Sequence, residues 1–248
     1  MAAHTVDSVC ARLRAQPGAL GARSPLTLNA YIEGYAAALA HHRVGELVDE
    51  LGHEAFRAWI DARVVMADQH ASSLNARSVV CPETFALLLS EDEHAAFETF
   101  IELRLACRRE LGAAARAMPH QPWSEDASLF DMIRLVRARP GMYFGNGRVE
   151  NAWSLVNGYL AAEADHGLAS LQAARMRDFQ PWVEQRYPFA RGQPWFRAFR
   201  FVAALRPDEG IAAFSQDFEL FVSGAPPDAP DPMTATLIAN IVRHANRE

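Results

Sequence analysis

The residues best able to do chemistry are nine histidines, three cysteines and a few paired acids, and none falls at a diagnostic spacing. His53-Glu54 opens like a zincin helix, but Arg57 stands where the second histidine of a zinc face would be. His41 and His42 are adjacent, so on a helix they point to different sides. A metal-assisted site drawn from His41, His42, His53 and His70 has no local spacing to support it. Cys10, Cys81 and Cys107 are odd in number and widely separated, which fits no disulfide or metal framework and points to a reducing compartment. Cys81 precedes Pro82 at a helix start, where a thiol can be activated, but no base accompanies it, and a small packed thiol is the other reading. The chain has no Gly-x-Ser-x-Gly elbow, P-loop or Rossmann glycine run. The pattern therefore predicts no catalytic residues, no cofactor and no bound metal.

The acids divide by position. Glu91-Asp92-Glu93 and Asp208-Glu209 sit at expected helix starts, where the helix dipole favours negative charge. Glu163 and Asp165 sit at an expected helix end, where it does not, so they call for a basic partner.

These side chains must be carried by helices, and the helices come twice. Pro17-Gly18 is answered by Pro140-Gly141, Gly34-Tyr35 by Gly158-Tyr159, Phe56 and Trp59 by Phe179 and Trp182, and Ala95-Ala96-Phe97 by Ala212-Ala213-Phe214, at offsets of 123, 124, 123 and 117 residues. Ordered anchors at near-constant offset read as internal duplication. Apolar residues recur at helical spacing, as in Leu28, Ile32, Tyr35 and Leu39, or Phe56, Trp59, Ile60 and Val64. Thr27 or Asn29 is a candidate cap for the first of these helices, and Ser90 for a later one carrying Phe97, Phe100, Ile101 and Leu105. Strand signals are weak, and Phe196, Phe199 and Val202 favour a helix over a strand. The expected fold is all-α, a tandem duplication of a roughly five-helix unit plus a C-terminal helix. Its divisions are residues 1–118, a degenerate N-terminal repeat; 119–127, a linker broken by prolines; 128–224, the C-terminal repeat; and 225–248, a proline-rich linker with a terminal helix over Thr234 to His244.

The string Leu135-Val-Arg-Ala-Arg-Pro-Gly-Met-Tyr-Phe-Gly145 resembles a stretch near the start of the ATPase domain of type II topoisomerases of the gyrase B group. The likeness is confined to that string. The helix that follows has Asn157 but Trp153 where the family carries its catalytic acid, and the Asp-x-Gly-x-Gly loop is missing, so the match implies no ATPase activity. A longer order covers Leu129 to Ser223: the Arg-Pro-Gly-Met-Tyr-Phe-Gly turn, Asn-Gly-Tyr, Phe-x-x-Trp-Val, then Ala-Ala-Phe and Phe-Glu-Leu-Phe. It is similar to small bacterial proteins of the immunity or antitoxin type. That resemblance implies a protein that neutralises a toxin by direct contact, and it carries no catalytic residues over.

The composition agrees with a binding role. Net charge is −6, and all 24 basic residues are arginine, a pattern expected from codon bias in a GC-rich bacterial genome. A mildly acidic chain is a poor nucleic-acid binder and a fair match for a basic protein. No apolar run reaches membrane-spanning length and no signal peptide is evident, so a cytoplasmic location without membrane attachment is expected. The expected partner is a basic toxin or effector domain. The expected contact surface is Arg139, Met142, Tyr143, Phe144 and Arg148, with Glu163 and Asp165. The other reading of the turn has Met142 and Tyr143 plugging a gap between helices. Two further functions stay open: an enzyme with its site in a cleft between the repeats, and a regulatory or scaffold module docking through its terminal helix.

Overall fold

A computed structural model describes residues 4–68, 81–112, 117–120, 126–139, 143, 147–205 and 210–228, with backbone only for 64–68 and 205. Met142, Phe144, His70 and the terminal helix expected over Thr234 to His244 lie outside the described residues. Those described form α1 (Val6–Ala15), α2 (Pro25–His42), α3 (His53–Asp68), α4 (Pro82–Leu88), α5 (Glu93–Leu111), α6 (Leu129–Ala138), α7 (Val149–Asp165), α8 (Leu171–Arg186), α9 (Phe196–Leu205) and α10 (Gly210–Val222). One two-stranded antiparallel sheet, β1 (Val48–Asp49) with β2 (Met118–Pro119), interrupts an otherwise helical fold. No helix among the described residues is long and apolar enough to cross a membrane.

The chain divides into two compact units. The first holds residues 1–128 together with 154–166, and the second holds 129–153 together with 167–248. The last twelve residues of α7 therefore belong to the body built by the first half of the chain.

Local chemistry sets the helix ends. α2 starts at Ser24, not at Thr27 or Asn29. Pro25 occupies the first helical position, and Ser24 and Thr27 exchange backbone-to-hydroxyl hydrogen bonds at 3.2 Å. α5 is capped by Asp92 and not Ser90, its carboxylate accepting the Ala95 N–H at 2.7 Å. Met118, at the end of the expected first repeat, and Pro119, at the start of the expected linker, pair with Val48–Asp49, and the His120 N–H donates to the Leu47 carbonyl at 2.7 Å.

In the first unit, α2 is buried on nearly every side, from Leu28 through Leu39. It meets α7 backbone to backbone. A Cβ on Gly34 would stand 2.0 Å from the Leu155 carbonyl oxygen, and one on Gly158 would stand 2.0 Å from the Tyr31 oxygen. Only glycine permits that approach. The second unit is held by an aromatic core around Phe179, with Trp195 stacked on Phe214 at 4.8 Å. Among its buried polar residues is Asp217, which accepts from Arg186 and from the Tyr187 hydroxyl, each at 2.8 Å.

Candidate functional site

In the first unit, five helices and the small sheet converge on a cavity of about 30 Å³. α2 supplies Asn29 and Ile32 to its wall, α3 supplies His53 and Phe56, and α5 supplies Phe100 and Arg104, pairs spaced three or four residues apart and so on one helix face. α1 adds Val6, and the start of α4 adds Pro82 and Glu83. The sheet brings Asp49 and His120 to the same wall from chain positions 71 residues apart.

Most of the charge here is spent internally. Arg104 is 6% exposed and donates to Asp49 at 2.8 Å and to Asp7 at 3.1 Å. Asp7 also receives Arg108 at 2.6 Å. His120 Nε2 lies 3.0 Å from Glu33, a buried carboxylate one residue beyond the cavity-lining Ile32. Burial opposes ionisation of Asp49, but the charge and hydrogen bond of Arg104, with the Leu51 N–H, outweigh it and hold its pKa below the ordinary carboxylate value. Cys10 lies in the same polar neighbourhood, and burial pushes its thiol up to about 12, which removes it as a nucleophile at neutral pH. Glu83 differs from all of these. It is 9% exposed, it lines the cavity, and no hydrogen bond or ion pair within the described residues falls to it. The cavity thus presents one uncommitted carboxylate among apolar walls and fixed ion pairs.

Acidification tests the Asp49 pairing. A folded pKa below the unfolded value of ~3.9 means that ionised Asp49 contributes stability above that value and loses it as pH falls through the folded one. The melting temperature of the wild type should fall more steeply than that of Asp49→Asn as pH drops from about 5 through ~3.9 and below, the two converging once pH has passed the lowered folded value. Parallel curves would show that Asp49 is not the group held ionised.

Glu163 and Asp165, expected at a partner surface, both make bonds within the first unit; Glu163 is buried, whereas Asp165 is exposed. Glu163 is 2% exposed and bonds His42 Nε2 at 2.8 Å through one oxygen; its other oxygen, like His166 Nε2, is buried without a hydrogen-bond partner. Asp165 accepts Arg12 at 2.7 Å and the Tyr35 hydroxyl at 2.8 Å, and that hydroxyl also lies 2.7 Å from His4 Nδ1. Burial raises the Asp165 pKa, but the bonds from Arg12 and Tyr35 lower it further, to below its usual value; burial and the neighbouring carboxylate push the Tyr35 phenol well up. Both acids thus have a basic group of the same chain beside them, His42 for the buried Glu163 and Arg12 for Asp165, which stays exposed.

Of the remaining expected contact residues, Arg139 is exposed, while Tyr143 is half-buried and engaged within the fold. Arg148 is half-buried beside the buried Glu150 at 3.3 Å. The histidines considered as metal ligands separate: His42 is bound to Glu163, and His53 lines the cavity. No group of three metal-ligating side chains occurs among the described residues. Cys10, Cys81 and Cys107 are all free thiols. Comparison with protein-family models, with curated proteins and with solved structures finds no match to this chain.

Proposed function

We propose that this is a non-enzymatic binding protein of the immunity or antitoxin type, acting in the cytoplasm by direct contact with a basic toxin or effector domain. The observation that carries the reading is Glu83, whose carboxylate makes no ion pair among the described residues and remains accessible at a cavity where Asp49 is already paired. The net charge of −6 supports a basic partner, since complementary charge speeds encounter and selects partners. Held ion pairs and an inert Cys10 favour recognition over turnover. Arg139, which is exposed, and Tyr143 belong to a second contact surface in this reading.

We also propose that the chain arose by tandem duplication. Gly34 of α2 meets Leu155 of α7, and Gly158 of α7 meets Tyr31 of α2, while Tyr31 and Leu155, like Gly34 and Gly158, stand 124 positions apart, the offset of the Gly-Tyr anchors. The ring stack of Phe56 on Trp59, with Arg63 over the indole, is matched by Phe179 on Trp182, with Arg186 over the indole. Matched residues in matched contacts at a near-constant offset are what a duplicated sequence leaves behind, and this supports the reading.

Affinity capture of the tagged protein from its native host tests the binding function. One stoichiometric basic protein is expected, which arrests growth when expressed alone and is neutralised by co-expression. Arg139→Ala with Tyr143→Ala should weaken capture while leaving the melting temperature within a few degrees. Purification without a protein partner, but with a turned-over small molecule or stoichiometric metal, would overturn the proposal in favour of an enzyme.

A further inference from the structure

We infer that the Trp59–Arg63 pair of α3 is a docking site for an extended, proline-rich segment of a partner protein. The second unit holds the same pair with such a segment in place. On α8, Trp182 and Arg186 stand four residues apart and so share a helix face. Both spend donors on the chain that follows α10. The Trp182 indole N–H donates to the Ala225 carbonyl at 3.1 Å, and Arg186 donates to the Asp228 carbonyl at 2.5 Å, two acceptors three residues apart. Pro226 and Pro227 lie between them. Prolines bring carbonyl acceptors without N–H donors of their own and hold an extended chain at low entropic cost, so paired donors on a helix face suit them.

Trp59 and Arg63 stand 123 positions before Trp182 and Arg186 and repeat their arrangement, ring stack included. The sequence after α5 carries no such proline run: it reads Gly112-Ala-Ala-Ala-Arg-Ala against Gly224-Ala-Pro-Pro-Asp-Ala after α10. The two donors of the first unit turn to one side chain. Trp59 Nε1 donates to Glu110 Oε2 at 3.1 Å, and Arg63 donates to the same oxygen. The Arg63 guanidinium lies 3.3 Å from the indole centroid, whereas Arg186, drawn to Asp217 and the Asp228 carbonyl, stands at 5.6 Å. The side chains of Arg63 and Glu110 are 37% and 55% exposed, and an ion pair so exposed contributes little. An incoming segment can therefore displace the carboxylate and lift the guanidinium from the ring. Glu110 stands in for the acceptors of that segment. The chain's own proline-rich segment is already held by Trp182 and Arg186, so the one that docks on α3 belongs to another protein.

The assignment goes beyond the toxin reading and does not rest on it. Its test is a titration of the full-length protein, isotope-labelled at the tryptophan indoles, with the acetylated and amidated peptide Gly-Ala-Pro-Pro-Asp-Ala-Pro-Asp-Pro. The Trp59 indole resonance, identified by its loss in Trp59→Phe, is expected to move on binding. Arg63→Met should weaken the peptide about tenfold or more, the loss expected for a charge-assisted hydrogen bond. Glu110→Ala removes the competing carboxylate from the surface and should tighten it, which keeps the assignment open to refutation where changes in α3 disturb folding. The same peptide with alanine at every proline should bind more weakly. A Trp59 resonance unmoved in both wild type and Glu110→Ala, a response confined to Trp182, or equal binding of the alanine peptide overturns the site. A Trp59 resonance that moves with the concentration of the protein alone makes a second copy the occupant and overturns the partner. No partner enters the titration, so its failure leaves capture of a basic protein as a separate result.

Discussion

Gly34→Ala should destabilise the first unit by about 3 kcal/mol or more, and Gly158→Ala should do the same. In the interior of an exposed helix, alanine would gain ~1 kcal/mol over glycine. Here the added methyl would lie 2.0 Å from a main-chain carbonyl of the neighbouring helix, which no rotamer change relieves. α2 and α7 must separate, and overpacking of that kind costs roughly 1–3 kcal/mol or beyond. The separation also pulls on the hydrogen bonds strung along the same crossing. Asn157 donates to the Ala19 carbonyl at 2.9 Å, Ser154 accepts the Gly21 N–H at 3.1 Å, and Glu163 holds His42. A fall in melting temperature of roughly 6–12 °C corresponds to that loss for a chain of this size. A rise in stability on either substitution would show that the helices do not meet where the glycines place them.

Arg104→Met should cost about 3–5 kcal/mol, the range for removing one partner of a buried ion pair. The guanidinium satisfies Asp49 and Asp7 at once and lies 5.5 Å from the Phe56 ring centroid. Its loss leaves the buried Asp49 carboxylate without its cation, while Asp7 keeps Arg108. Asp49→Asn in the same background should recover part of the loss, because it removes the stranded charge. Urea denaturation of the two single variants and the double variant measures the coupling. Additive losses would mean that the pair acts as two independent side chains.

Much of the helical frame is legible in the sequence, for reasons visible in particular residues. Leu28, Ile32, Tyr35 and Leu39 mark α2 because a helix must turn its apolar side inward. They say little about its other sides, which are also buried because small Ala30, Ala36, Ala37 and Ala38 let neighbours close in. β1 and β2 are only two residues long, one of them proline, so no period of two exists to find. Glu163 and Asp165 read as unexplained acids because their partners lie 121 and 153 residues away, and local spacing cannot show pairing at that distance. The cavity has the same origin. Asp49, Glu83, Arg104 and His120 come from four separate segments, and the single local signal is Arg104, a charge four residues after Phe100 on the apolar face of α5. Glu83 is masked by position, since an acid in the first turn of a helix is accounted for by the dipole and draws no further attention.

The most direct measurement is the dissociation constant of the captured basic partner for the wild type and for Glu83→Gln, with matched melting temperatures. A weakening of about tenfold or more at low salt, shrinking as salt is raised, is expected if the uncommitted carboxylate anchors the partner. An unchanged constant at every ionic strength would contradict the placement of recognition at this cavity.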